Sequence, residues 1–486
     1  MLLSSQKSIA VLVVCGLVSG CTTIGDKYQR PEVNVPAAWQ GGAGNPAAWP
    51  DREWWQGFRT GELDRLIAEA QSNNHDLKAA AARVAQARAT AQIAGAPLYP
   101  TITVGADAGR TRTRSSSITN TTSTTSVSAY SFVPQASYEL DIWGLNRLAS
   151  DAANNAVLSS TYGQEVVRLT LTADVATTYF RILSLNDRLE VAQRNLAIAH
   201  KLQDLVDAQR KGGRLSPFEV ERQKAQLATA EAVIPPLRQQ LRAAYDALAV
   251  LLGKNPGDMT MATLSLRSLA VPEVPLGLPA QLLERRPDIR QAEMNLIAAN
   301  ANVGAARAAL YPTLTLNAQV GATKSVTSSL LSSSTSFQSI SLAMLATIFD
   351  GGRLSGQVDL ATARKVELAE TYQQFIVSGY RDVEDALAGI QQFTAQENAH
   401  REAVNHAREV YRIADTLMRS GATDFTAVLD AERTLLSAET AADEARLNLF
   451  SSVINLYRAL GGGWDAQMPQ AAETPGAKAA PQGASE

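Results

Sequence analysis

Four short segments of this 486-residue chain alternate apolar with polar side chains almost strictly, in a sequence that otherwise reads as helix. Leu314, Leu316, Ala318, Val320 and Ala322 alternate with Thr315, Asn317, Gln319 and Gly321. Earlier, Ile102, Val104, Ala106 and Ala108 alternate with Thr101, Thr103, Gly105 and Asp107, and Tyr130, Phe132, Ala136, Tyr138, Leu140 and Ile142 with Ser131, Gln135, Ser137, Glu139 and Asp141. The last segment sets Ile340, Leu342, Met344, Ala346 and Ile348 against Ser339, Ser341 and Thr347, with Leu345 and Phe349 weakening its polar side. A period of two puts grease on one face of a strand and polar groups on the other. A half-buried soluble sheet has the same period. These segments, however, are about ten residues long, flanked by Tyr99, Tyr130, Tyr138, Trp143 and Tyr311 and joined by Ser/Thr-rich stretches. Those are the dimensions and aromatic girdles of strands in a membrane barrel.

Four strands cannot close a barrel, and an open edge in hydrocarbon leaves backbone groups unpaired at several kcal/mol each. Several chains must therefore share one barrel. Two would give eight strands and an interior filled by side chains; three give twelve and leave room for water. The polar face of Thr, Asn, Gln, Ser, Asp and Glu suits water, which predicts a trimeric, twelve-stranded barrel. Asp107, Glu139 and Asp141 are then expected to face its lumen and to bias it toward cations.

The chain also reads as two copies of one plan. "LYPTITVGA" at 98–106 matches "LYPTLTLNA" at 310–318, and the same offset of 212 pairs Asp76-Leu77 with Asp288-Ile289. Further on the offset becomes 208, aligning "GRLS" at 213–216 with "GATD" at 421–424 and "LLG" ending at Gly253 with "ALG" ending at Gly461. The four-residue difference falls between Pro100 and Gly213, most simply in a loop through the Ser/Thr-rich stretch from Thr111 to Ser128.

Long helices follow each strand pair. No proline occurs between Pro134 and Pro217 or between Pro312 and Pro469, and a helix interior accommodates one poorly. Val166, Leu169, Val175, Tyr179, Ile182, Leu185, Leu189, Leu196, Leu202 and Leu205 recur mostly every three or four residues, a helical period. Sixty-odd residues at about 1.5 Å each predict a rod of roughly 100 Å. Gly212-Gly213 ends it, and Ser216-Pro217-Phe218-Glu219 starts a return helix with a capping box. Gly421 and Asp424 do the same, with a weaker cap, in the second half. Pro235-Pro236 is expected to break the first return helix, where the second has Asp443-Glu444.

At the N-terminus, Lys7 precedes an apolar run from Ile9 to Val18 and then Ser19-Gly20-Cys21. This reads as a secretion signal, too short to span a bilayer. "LVSGC" at 17–21 resembles a lipobox, so Cys21 is expected to become the acylated first residue of the mature chain. Thr22, where an Asp would retain a lipoprotein at the inner membrane, favours the outer membrane. Cys15 would leave with the signal, so the mature chain holds no internal disulfide.

A formal net charge of −3 and the lack of any Lys/Arg-rich run argue against nucleic acid as a partner. Catalytic signatures are poor in the sequence, which leaves only a scattered dyad open. His75, His200, His400 and His406 form no HExxH, no cysteine pair suggests zinc, and Gly461–Gly463 precedes Trp464 rather than a phosphate-binding helix. His75 reads as an incidental helix-start residue. Neither an enzyme nor a cofactor is expected.

Several motifs now carry a likeness: "YQRP" at 28–31, "WW" at 54–55, "ERRPDIRQAE" at 284–293, "ANVGAARAALYPTLTL" at 301–316, "FDGGR" at 349–353, "VLDAERTL" at 428–435 and "LYRALGGGW" at 456–464. With them the chain, from Cys21 to Trp464, resembles the outer-membrane efflux channels of Gram-negative bacteria, in the lipoprotein branch of the outer membrane factor family. The resemblance implies a mainly α protein whose four strands join those of two other copies in a homotrimeric twelve-stranded β-barrel, continued by a long α-helical periplasmic barrel. It also implies a periplasmic adaptor protein and an energised inner-membrane pump of the resistance-nodulation-division (RND) type. Family members close the periplasmic end with acidic residues facing the axis. Their motif puts Asp430 there, with Arg433 in reach at i, i+3 and Thr426 one turn earlier; Ala427 occupies a second acidic position found in some relatives.

The expected organisation is a signal peptide at 1–20, a lipidated linker at 21–60, helices leading into the barrel at 61–97 and 288–309, and strand pairs at 98–143 and 310–351. Long periplasmic helices follow at 144–253 and 352–461, with an equatorial connection at 254–287 and a disordered tail at 462–486. The function so implied is a passive exit duct for drugs or other small toxic compounds. Two other readings are a type I protein secretion channel and a periplasmic coiled-coil scaffold lipoprotein without a pore.

Overall fold

The structure, a computed structural model, describes residues 24–33, 35–40, 49–116, 122–213, 215–257, 264–327, 332–423, 425–462 and 464. The leader, Cys21, Asp424 and the tail from Asp465 lie outside them. In chain order come α1 (Gly61–Asn73), α2 (His75–Gly95), β1 (Thr101–Ser116), β2 (Thr122–Glu139), α3 (Leu145–Lys211), α4 (Pro217–Leu251), α5 (Leu282–Arg285), α6 (Pro287–Ala308), β3 (Thr313–Thr327), β4 (Ser332–Leu345), α7 (Arg353–Arg419) and α8 (Phe425–Ala459). α3 and α7 are both 67 residues long, and α4 and α8 both 35. The chain divides into two compact units, one of Met1–Glu32, Arg83–Ser160 and Ala292–Tyr372, the other of Val33–Ala82, Thr161–Gln291 and Gln373–Glu486.

The first unit holds an antiparallel sheet in the order β1-β2-β3-β4, with β1 and β4 at its edges. Its strands run 14 to 18 residues rather than about ten. The expected loop from Thr111 to Ser128 is mostly ladder: Thr111 pairs with Val127 and Ser116 with Thr122. A backbone ladder needs no apolar face, so it continues where both faces have turned polar and the alternation is no longer visible. Pro134, which has no N–H to donate, sits where the β2–β3 pairing skips from Phe132–Ala322 to Gln135–Gln319. Beside the sheet, Ala152 of α3 packs on Ala298 and Ala301 of α6, small residues that let the helices approach closely. Arg30 pairs with the buried Glu293 through two bonds of 2.6 and 2.9 Å, which explains the motif Tyr28–Pro31.

The second unit is built around an apolar core. Trp54, Phe58, Leu63, Leu66 and Ile67 pack on Tyr179, Phe180, Ile182 and Leu183 of α3 and on Phe450, Val453, Ile454 and Tyr457 of α8. Trp54 stacks on Tyr457 at 4.7 Å, and Phe180 lies 4.8 Å from both Phe58 and Phe450. Burying each such side chain contributes roughly 1.5–3 kcal/mol, so the paired tryptophans are core.

The helix stops fall where the glycines predict. Gly213 and Gly421 take left-handed φ of 71° and 75°, the region only glycine enters without steric cost. Ser216 and Glu219 form the expected capping box, with Pro217 in the first turn. The expected break at Pro235-Pro236 does not occur, because α4 runs unbroken through both. Two ladder bonds are lost there, but Ile234 and Leu237 on either side are buried in the core and hold the helix by packing. His75 opens α2 while Asn74 caps it, accepting from Leu77 N at 3.0 Å. No described helix is long and apolar enough to cross a membrane.

Candidate channel wall and gate

The register sets which side chains share a face of the sheet. Thr101 pairs with Ser137, Glu139 with Thr315 and Thr313 with Leu345, so odd-numbered residues of all four strands lie on one face and even-numbered ones on the other. Near the helices the even face carries Ile102, Val104, Phe132, Leu316, Ile340, Leu342 and Met344, and these are exposed, Ile340 at 81% and Met344 at 71%. A continuous exposed apolar band of this kind needs a partner surface or lipid. The odd face carries Thr103, Gln135, Ser137, Asn317, Gln319 and Ser341, interrupted by Val133 and Phe337.

Asp107 and Glu139 both lie on this polar face. Asp107 accepts from Ser131 across the strand pair at 3.3 Å, and Glu139 is the last residue of β2, opposite Thr315. Asp141 is placed differently. It follows the strand, is 9% exposed, and accepts from the backbone N–H of Asn146 at 3.1 Å and of Arg147 at 2.9 Å, with Arg147 also donating through Nε. Its charge caps the start of α3, where the helix dipole favours an anion. Asp350 does the same for α7, accepting from Gly352 and Leu354, both at 3.0 Å. Trp143 also differs from a free girdle residue: its indole donates to Pro312 O at 2.7 Å and stacks on Tyr311 at 4.9 Å, fastening the junction of strand and helix.

At the start of α8, Val428, Leu429, Ala431 and Glu432 are buried while Asp430 and Arg433 are exposed. Among the described residues no ion pair joins Asp430 to Arg433, and both residues are exposed. Thr426 is half-buried and engaged from the side, accepting a 2.8 Å hydrogen bond from Arg222 of α4. The three residues expected at the gate therefore divide: an exposed acid, an exposed base, and a hydroxyl tied to the neighbouring return helix. Behind them Glu432 is 3% exposed with neither carboxylate oxygen bonded, and burial pushes its pKa up to about 7. Further along the same helix Glu439 is held by Arg194 and Arg408, and Asp443 by two bonds of 2.8 and 2.7 Å from Arg267.

A family model described as outer membrane efflux protein matches residues 66–254 and 278–462. The chain belongs to the outer membrane efflux protein family. It is an outer-membrane efflux channel. Among its relatives is the pyoverdine export outer membrane protein OpmQ of Pseudomonas putida, 37% identical over 439 residues covering 89% of this chain and 93% of the relative. The toluene efflux pump outer membrane protein TtgF of Pseudomonas putida is 34% identical over 471 residues, 94% of this chain and 96% of that one. Among solved structures, the outer-membrane channel OprN superposes with a TM-score of 0.81 at 27% identity, covering 91% of this chain and all of that one.

Within this efflux protein the other motifs that carried the likeness serve packing. Arg286 binds Asp288 through bonds of 3.0 and 2.6 Å, reaches Asp382 at 3.3 Å, and donates to Ala459 O at 3.1 Å. Gly461 follows with φ of 89°, and a Cβ there would stand 2.2 Å from Arg285 O. Trp464 donates to that same carbonyl and is buried. "ERRPD" and "LYRALGGGW" are thus the two halves of one clasp. Sequence reasoning missed Arg222 and Glu432, which resemble ordinary polar positions of a helix. It also missed Arg110, Arg112 and Arg114, which lie beyond the point where the alternation of β1 fades.

Proposed function

We propose that three copies of this efflux protein close a twelve-stranded barrel and conduct small toxic compounds passively out of the cell. The observation that carries this reading is the sheet: among the described residues its two edge strands have no outer partner, one face is an exposed apolar band, and the other is polar. Edge strands in hydrocarbon need partners, and a third copy gives a bore wide enough for water. Asp107 and Glu139 line that bore and favour cations. The helical ends carrying Asp430 close the channel, where three like charges near one axis repel unless paired or ion-bound, and Arg433 of a neighbouring copy is the available counter-charge. Acylation of Cys21 anchors the chain to the outer membrane. A periplasmic adaptor and an inner-membrane pump of the RND type supply cargo and energy. Relatives named for pyoverdine, toluene and solvents support small molecules as that cargo, over exported proteins or a scaffold role.

Purified protein in detergent is expected to have the mass of a trimer and to conduct in planar bilayers. A lone monomer, or a trimer without conductance, overturns the reading.

A further inference from the structure

Charge is divided across the sheet. Among the described strand residues every base, Arg110, Arg112, Arg114 and Lys324, lies on the even face, and both acids, Asp107 and Glu139, lie on the odd face. The three arginines follow one another along β1 directly beyond the apolar band, past the level of Ala108 and Tyr130. Among the described residues they make no ion pair, their side of β1 is exposed, and their cross-strand partners are the small hydroxyl residues Ser128, Ser126 and Thr124.

On the barrel reading above, the even face meets lipid, and the hairpin end of β1 is the end away from the helices. Ile102 and Arg110 are eight residues apart; at about 3.3 Å per residue and a tilt near 40° that is roughly 20 Å of height, most of an apolar band about 25 Å tall. Arg110, Arg112 and Arg114, roughly 20, 25 and 30 Å above Ile102 on the same rise and tilt, therefore straddle the outer edge of the band at the approach to the outer-leaflet headgroups. Simple solvation of the extracellular rim would not require all the bases on the lipid side and all the acids on the other. Guanidinium groups bind phosphate bidentately and keep their charge at any relevant pH. Spaced about 6.7 Å apart on one face of a strand, three of them can engage more than one phosphate of a single headgroup.

We infer that Arg110, Arg112 and Arg114 form a lipid-facing strip on β1 that docks the phosphate groups of lipopolysaccharide in the outer leaflet. This rests on the barrel reading, and the two can fail separately. The test is native mass spectrometry of the detergent-extracted protein loaded with diphosphoryl lipid A, alongside planar-bilayer conductance of the same preparations. The wild type is expected to retain lipid A in preference to phosphatidylethanolamine. The triple variant R110Q/R112Q/R114Q should retain at least about tenfold less, R110K/R112K/R114K, which keeps the charge but not the bidentate fork, an intermediate amount, and T111Q/T113Q, on the opposite face, all of it. A conducting glutamine variant with undiminished lipid A overturns this inference and leaves the barrel standing. Wild-type protein that neither trimerises nor conducts overturns both. If the glutamine variant does not assemble, the lysine variant decides: retention no better than that of phosphatidylethanolamine overturns the strip.

Discussion

Arg222 in the second turn of α4 donates to the hydroxyl of Thr426 in the first turn of α8 at 2.8 Å, joining residues 204 positions apart. A hydrogen bond from a charged donor is worth about 1.5–3 kcal/mol. Arg222→Ala is therefore expected to free the start of α8 and raise basal single-channel conductance or open probability about tenfold. Thr426→Val should give part of the same effect, and the double variant no more than Arg222→Ala alone. Additive effects in the double variant would show that the two residues do not act as a pair.

Asp430 is exposed and has no ion pair among the described residues, so its role depends on neighbouring copies. Asp430→Ala is expected to loosen closure and admit large antibiotics in cells lacking adaptor and pump. Arg433→Ala should do the same if it supplies the counter-charge. Unchanged conductance and antibiotic entry in both variants would remove the gate from this position.

Glu432 makes stability fall as pH rises. Its folded pKa of about 7 lies above the ordinary 4.5, so folding favours the protonated form. Its ionisation adds no penalty below about pH 4.5, and that penalty grows to about 3 kcal/mol as pH passes through 7. Arg194, Tyr411 and Glu439 line the same cavity, yet none bonds the carboxylate. Glu432→Gln is expected to flatten this slope and raise stability at pH 8, read by thermal unfolding in detergent at pH 4.5 and 8. A variant that melts with the wild-type pH slope would assign the slope to another group.

The clasp around Arg286 is structural. Its side chain is 11% exposed and satisfies Asp288 and the end of α8 together. Arg286→Ala strands those groups and is expected to cost about 3–5 kcal/mol. Gly461→Ala should be comparably damaging by collision with Arg285 O and by strained φ. Both should lower the unfolding midpoint without changing the ion selectivity of whatever channel assembles.

Asp107 and Glu139 are the acids of the polar face. Asp107→Asn with Glu139→Gln is expected to move the reversal potential in a salt gradient toward zero, while Asp141→Asn, a cap, should lower stability and leave selectivity alone. The opposite pattern would return Asp141 to the lumen.

How much was legible follows from the range of each interaction. The period of two in Leu314–Ala322, the helical period from Val166 to Leu205, and the stops at Gly213 and Gly421 depend on backbone geometry within a few residues, and each reappears in place. Asp141 kept the alternation but belonged to a cap, because the helix that follows competes for the same carboxylate. The extension of β1 to Ser116 left no alternation to read, since a ladder is held by backbone bonds whatever its side chains. Pro235-Pro236 remained helical because burial on both sides outweighs two lost bonds.

The sequence by itself determined the element types, the two faces of each strand and the family. Only the tertiary structure decided the partners of charge: Arg222 for Thr426, Arg286 for Asp288 and Ala459, none for Glu432, and a common face for Arg110, Arg112 and Arg114. Periodicity is a local property of a chain with fixed geometry per residue. Pairing depends on register and packing between segments up to hundreds of residues apart, and no local pattern encodes it.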